Sequence, residues 1–91
     1  MKVSRLLNKK SRWCQGSYAR GVSGIPVSLD GKSAVSFCLI GAIFKCYSSE
    51  YQPTAIRRLV DVLDGWSIAR WQDQPGRTFK EVRAAILKAG I

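Results

Sequence analysis

From Ser33 to Tyr47 the chain reads SAVSFCLIGAIFKCY, an apolar run interrupted by Ser36 and Lys45. A helix that is apolar on nearly every side has to be buried on nearly every side. The run is too short to cross a bilayer, which takes about 20 apolar residues. It therefore predicts a buried central helix, N-capped by Ser33, with the rest of the chain wrapped around it. Gly41 stands beside Ala42 inside this run. Glycine there costs about 1 kcal/mol relative to alanine, so the small pair predicts a second backbone crossing closely at that point. Cys38, one turn before Ala42, is expected to pack in the core.

The flanking segments supply the covers. Thr54 opens an amphipathic pattern in which Ile56, Leu59, Val60 and Leu63 share one face. Arg57, Arg58, Asp61 and Asp64 take the other face, with Arg57 and Asp61 spaced to pair, and Gly65 suits the position just past the helix end. Ser48 to Pro53 reads as a polar linker, and Trp66 to Gly76 as an irregular stretch. Thr78 and Glu81 form a capping box. The helix it starts runs to about Ala89, with Phe79, Val82 and Ile86 inward and Lys80, Arg83 and Lys88 outward. At the front, Val3 to Arg12 predicts a short helix with Val3, Leu6 and Leu7 on one face and Arg5, Lys9, Lys10 and Arg12 on the other. Between them the glycine-rich Trp13 to Leu29 predicts a small hairpin, residues 15–20 pairing with residues 25–29 across Gly21–Gly24, or else an extended loop. The expectation is an α+β, mainly α fold: one domain over residues 1–91, with a basic segment at 1–12.

Charge points to a partner class. Fifteen Lys and Arg against six Asp and Glu leave +9. Lys2, Arg5, Lys9, Lys10, Arg12 and Arg20 all precede the first acid, Asp30. Such a field favours polyanions, with nucleic acid foremost, then an anionic membrane surface or an acidic protein surface. No membrane segment is expected. Cys14, Cys38 and Cys46 have no CxxC spacing, and the chain has no histidine. That excludes a Cys-His nucleophile and makes a zinc site poor. Met1 to Arg12 lacks the apolar core of a signal peptide. The expectation is a reduced, cytosolic protein; its oligomeric state is not encoded legibly.

Catalytic chemistry finds little support. Asp61 and Asp64 belong to a helix exterior and Glu81 to a cap. Asp73, near Trp71 and Arg77, lacks the partner a general base needs and is expected to organise a turn or pair with Arg77. Gly16 and Gly21 have phosphate-loop spacing, but Val22-Ser23 follow where Lys and Ser/Thr are required. The expectation is a non-enzyme without cofactor or metal. Aromatic and basic residues interleave at Arg12-Trp13, Tyr18 and Arg20, Trp66 and Arg70, and Trp71 and Arg77. Such pairs can stack on bases and hold phosphates, although at least two of the three tryptophans are expected to be buried. Trp13, Gln15, Trp71, Asp73, Arg77 and Thr78 are the candidate ligand residues, the last two offering a phosphate seat at a helix start.

Three pieces, W-x-Q-G-x-x-A-R at Trp13 to Arg20, A-V-x-x-C-L-x-G-A-I at Ala34 to Ile43 and W-x-D-x-x-G-R-T-x-x-E-V at Trp71 to Val82, occur in this order. The chain thereby resembles a family of small bacterial and phage proteins catalogued as a domain of unknown function. The resemblance covers about Leu6 to Leu87. It implies a compact domain, frequently carried on phage or other mobile DNA, with no assigned activity. The sequence departs from that pattern at Gln72, where Asn is more frequent, and in its basicity. Charge and resemblance together lead to a polyanion-binding protein. The alternatives are an inhibitor or adaptor docking on a host or defence complex, and a nucleotide-binding protein.

Overall fold

A computed structural model describes residues 1–91. The chain forms α1 (Val3–Leu6), a 3-10 turn (Lys10–Arg12), β1 (Ala19–Arg20), β2 (Ser36–Phe37), α2 (Leu39–Cys46), α3 (Gln52–Val62), α4 (Ile68–Gln72) and α5 (Phe79–Ala89). This is the expected α+β, mainly α class. One core of 17 buried residues joins every helix, with Leu39, Ala42, Ile43, Leu59, Val82 and Ile86 fully excluded from solvent.

The central helix is shorter than the apolar run. Ser36 and Phe37 are extended and pair antiparallel with β1, Ala19 opposite Phe37 and Arg20 opposite Ser36. Two further bonds, Val35 N to Arg20 O at 2.9 Å and Cys38 N to Tyr18 O at 3.2 Å, hold the approach to α2 in strand geometry. The N-cap is therefore Cys38, whose sulfur accepts from Gly41 N at 3.2 Å, rather than Ser33. Short apolar runs suit strand and helix alike, and pairing with β1 decides this one. Nor is α2 wrapped on all sides, since Phe44 and Lys45 reach solvent.

Gly41 does what the sequence required. A Cβ built on it would lie 2.2 Å from the carbonyl oxygen of Tyr18, so the backbone leading into β1 crosses α2 where a side chain is missing. The pairing expected across Gly21–Gly24 forms over a shorter span: Gly21 N donates to Ile25 O at 2.9 Å, Val27 N donates to Ala19 O at 3.1 Å, and Arg20 bridges Pro26 antiparallel, while β2 pairs with residues 19–20 on the other edge.

The N-terminal helix stops at Leu6, and Lys10–Arg12 forms a separate 3-10 turn. Arg83 explains the stop. It turns from the expected outer face of α5 to donate to the carbonyls of Ser4 and Leu7, satisfying the end of α1 from outside. α3 begins two residues before Thr54, and Pro53 sits in its first turn, where no backbone N–H is needed. Its end carries two bonds, Gly65 N to Val60 O at 3.0 Å and Asp64 N to Asp61 O at 3.3 Å, with Asp64 at φ 55° and Gly65 at φ 84°. That is a Schellman end in which Asp64, not Gly65, takes the first left-handed position. Arg57 and Asp61 form no ion pair; the molecule has one, Arg77 to Glu81 at 3.0 Å. The stretch 66–76 contains the short helix α4, capped by Ser67. α5 starts at the Thr78–Glu81 capping box. No helix is long and apolar enough to cross a membrane.

Candidate nucleic-acid interface

Of the basic residues ahead of Asp30, Lys2, Arg5, Lys9 and Lys10 are exposed and make no hydrogen bond or ion pair through their side chains. The segment carrying Lys9, Lys10 and Arg12 is pinned at both ends to α5. Leu7 is held by Arg83, and the Trp13 ring lies 6.3 Å from Phe79, centroid to centroid. Lys80 falls between those two anchor points on α5 and is exposed. Its place on α5 makes it a candidate to join the N-terminal cations, a grouping that sequence order alone does not disclose. The signal available was the three-residue spacing of Lys80 and Arg83 on the predicted outer face. Arg12 is half-buried, and its Nε is shielded from solvent without an acceptor.

Arg20 is committed elsewhere. Its guanidinium donates to Gln15 O at 3.0 Å and to Gly24 O at 2.9 Å, closing the loop that follows Trp13. It belongs to the scaffold of the loop, and its charge is tied down among backbone carbonyls.

Trp13, Gln15 and Asp73 converge on one junction. Gln72 is buried at 2% exposure. Its side-chain oxygen accepts from the Trp13 indole at 3.0 Å and from Leu39 N, in the first turn of α2, at 2.9 Å. Gln15 donates to the Gln72 backbone carbonyl at 2.6 Å, and the Asp73 carboxylate accepts from Gly16 N at 3.0 Å and from the Gln72 amide. All three sequence pieces that carry the family resemblance meet here, across separations of 33 to 59 residues. Asp73 does not pair with Arg77; its carboxylate closes this junction instead. A groove of about 500 Å³ runs beside it, with Gln72 and Asp73 on its wall and Val27, Leu29, Ile40 and Ile68 making it apolar.

Trp71, Arg77 and Thr78 form a second group. The Arg77 guanidinium stacks 3.9 Å above the Trp71 ring, and its Nε donates to Trp71 O at 2.9 Å. Glu81 accepts from Thr78 N at 2.9 Å. That bond, the Thr78 hydroxyl and then Arg77 hold its carboxyl below the usual carboxylate value. Because Glu81 fills the helix start, the phosphate seat expected at Thr78 is already occupied by a carboxylate. Trp13 and Trp71 are half-buried and Trp66 is 50% exposed, so no tryptophan is fully buried. Burial raises all three cysteine thiols above their ordinary value, which keeps them protonated.

A family model described as a family of unknown function (DUF6197) matches residues 1–90, and the chain belongs to that family. No curated protein and no solved structure matches the chain.

Proposed function

We propose that this protein is a non-enzymatic, cytosolic binding protein that engages nucleic acid through the face carrying Lys2, Arg5, Lys9, Lys10, Arg12 and Lys80. The observation that carries the reading is the imbalance between cations and their partners. Fifteen Lys and Arg stand against six acids, yet one ion pair forms, Arg77 to Glu81, and it takes up none of these cations. Unpaired surface cations attract polyanions at long range, and each phosphate they neutralise releases a counterion. The three thiols, kept unpaired and protonated, suit a reducing compartment. The family resemblance is our ground for placing its gene on phage or other mobile DNA.

The test is charge reversal at two positions where the fold has nothing to lose. Lys9→Glu with Lys10→Glu changes exposed side chains without partners, and Arg12 is left alone because its guanidinium is half-buried. Affinity for duplex DNA, read by fluorescence anisotropy at low salt, should fall at least ten-fold while the melting curve stays in place. Unchanged affinity would remove this face from the account.

A second reading is favoured by exposed apolar side chains on one loop. Tyr18, Val22 and Ile25 are exposed on the loop around β1, and the Tyr18 ring lies 6.0 Å from that of Phe44 on α2. Such a surface on a strongly basic protein suits an acidic protein partner, as an inhibitor or adaptor of a host or defence complex would need. Capture from lysate that survives nuclease treatment, and is lost in a Val22→Glu, Ile25→Glu variant, would favour it over nucleic acid.

A further inference from the structure

The end of α3, the turn after it, and α5 enclose a cleft of about 400 Å³ on a different part of the surface from the Lys9–Lys10 segment. Its lining is also mostly apolar, but it differs from the groove beside Gln72 in carrying two indoles and two cations. Trp66 and Trp71 both line it, Lys88 and Arg77 (the latter ion-paired with Glu81) bring cations, and Ala84 and Ala85 line it from α5. Pockets for small ligands run from about 300 to 1,000 Å³, so the volume admits one planar ring system with its substituents.

Each wall has a structural cause. The Schellman end of α3, with Asp64 and Gly65 both left-handed, reverses the chain, and Trp66 N is then held by Leu63 O at 3.1 Å. The turn leaves the Trp66 indole 50% exposed and without a hydrogen-bond partner. Core packing does not explain a large aromatic in that state. Trp71 is fixed in place by the Arg77 guanidinium stacked on it. Two of the Arg77 nitrogens are used, on Trp71 O and on Glu81, and the third makes no bond. Lys88 is exposed and pairs with no acid. Asp64, also on the wall, brings acceptor oxygens beside the two cations.

We infer that this cleft binds a nucleobase together with its phosphate. The base would stack against Trp66, the phosphate would take its charge from Lys88 and Arg77, and the Asp64 carboxylate could accept from an exocyclic amine or a sugar hydroxyl. Aromatic faces bind any base through its π-surface, and paired cations hold the phosphate. The site goes beyond the basic-face reading and does not depend on it. Its ligand chemistry is shared by free nucleotides and by unpaired bases of a single strand.

The test is a titration of tryptophan fluorescence with adenosine monophosphate, a single-stranded oligoribonucleotide, ribose 5-phosphate and a blunt duplex. The mononucleotide and the single strand should quench; ribose phosphate, which has no base, and the duplex, whose bases are paired, should quench far less. Trp66→Ala and Lys88→Glu, both at exposed positions, should each weaken the quenching ligand roughly ten-fold with circular dichroism unchanged. A strand binding much more tightly than the mononucleotide identifies an unpaired base as the ligand, and equal affinities identify a free nucleotide. Quenching that persists in both variants, or no quenching by any base-bearing ligand, overturns the site. Lys9→Glu, Lys10→Glu should leave mononucleotide quenching intact, so failure of the cleft and failure of the basic face can be told apart.

Discussion

Two polar regions of this molecule differ in what they do with their donors. At the Gln72 junction they are spent inward: the Trp13 indole, Leu39 N, Gly16 N and both Gln15 contacts find acceptors within the chain. On the basic face Lys2, Arg5, Lys9, Lys10 and Lys80 spend nothing inward. The first region holds the elements together, and the second is held out to solvent by them. The three sequence pieces that carry the family resemblance meet at the junction, through Trp13, Gln15, Leu39 and Asp73. The contrast teaches that the resemblance falls largely on residues that lock the fold, whereas the exposed cations proposed to bind, Lys2, Arg5, Lys9 and Lys10, lie outside its three pieces.

The sharpest way to break the locked region is at the crossing of β1 and α2. Gly41→Ala places a Cβ 2.2 Å from Tyr18 O, and neither backbone can give way without losing the Cys38 N–Tyr18 O bond. We expect a loss of about 3 kcal/mol or more, a large part of the stability of a small domain. Thermal unfolding followed by circular dichroism measures it, and a melting temperature within a degree or so of wild type would mean the crossing is loose. Gln72→Leu comes next. It keeps the bulk but leaves the Trp13 and Leu39 N–H groups buried without an acceptor, which costs about 2 kcal/mol or more. Thr78→Ala removes one half of a capping box at the exposed start of α5 and should cost about 1 kcal/mol in the same assay.

The smallest effect concerns pH. Glu81 has its carboxyl below the ordinary value in the folded chain, chiefly through the Thr78 backbone N–H. A depressed folded value means the contribution is present above the unfolded carboxylate range and is lost as pH falls through the folded value. Glu81→Gln should therefore lie closest to wild type in acid and fall behind it as pH rises from the folded value into the unfolded carboxylate range, with no further widening above it. A gap between the two that stays constant with pH would show that the charge on Glu81 contributes nothing.

Much of the fold was legible because it rests on local patterns. The capping box at Thr78, the inner face of α5 and the close approach at Gly41 each follow from a few adjacent residues. What was not legible came from partners distant in sequence. Ser36 and Phe37 read as helix until β1 is there to pair with them, and Arg83 reads as outward until the carbonyls of Ser4 and Leu7 lie beside it. Arg20 counts as a free cation in sequence, yet the loop it closes consumes its donors. The tryptophans were misjudged for the same reason. Indole burial depends on what crosses it, and at Trp66 nothing does. Of the candidate site, the N-terminal cations were visible as a run without acids, whereas Lys80 and the cleft at Trp66 needed the packing of α5.

The central claim is that the unpaired cations, and not the junction, make the binding surface. It is tested most directly by titrating labelled duplex DNA with the wild-type protein and the Lys9→Glu, Lys10→Glu variant at several salt concentrations. Log affinity should fall linearly with log salt, at about 0.9 per phosphate neutralised. The account predicts a wild-type slope worth several phosphates and a shallower slope with weaker binding in the variant, at equal melting temperature. No binding by the wild type at low salt, or identical slopes for the two proteins, would contradict it.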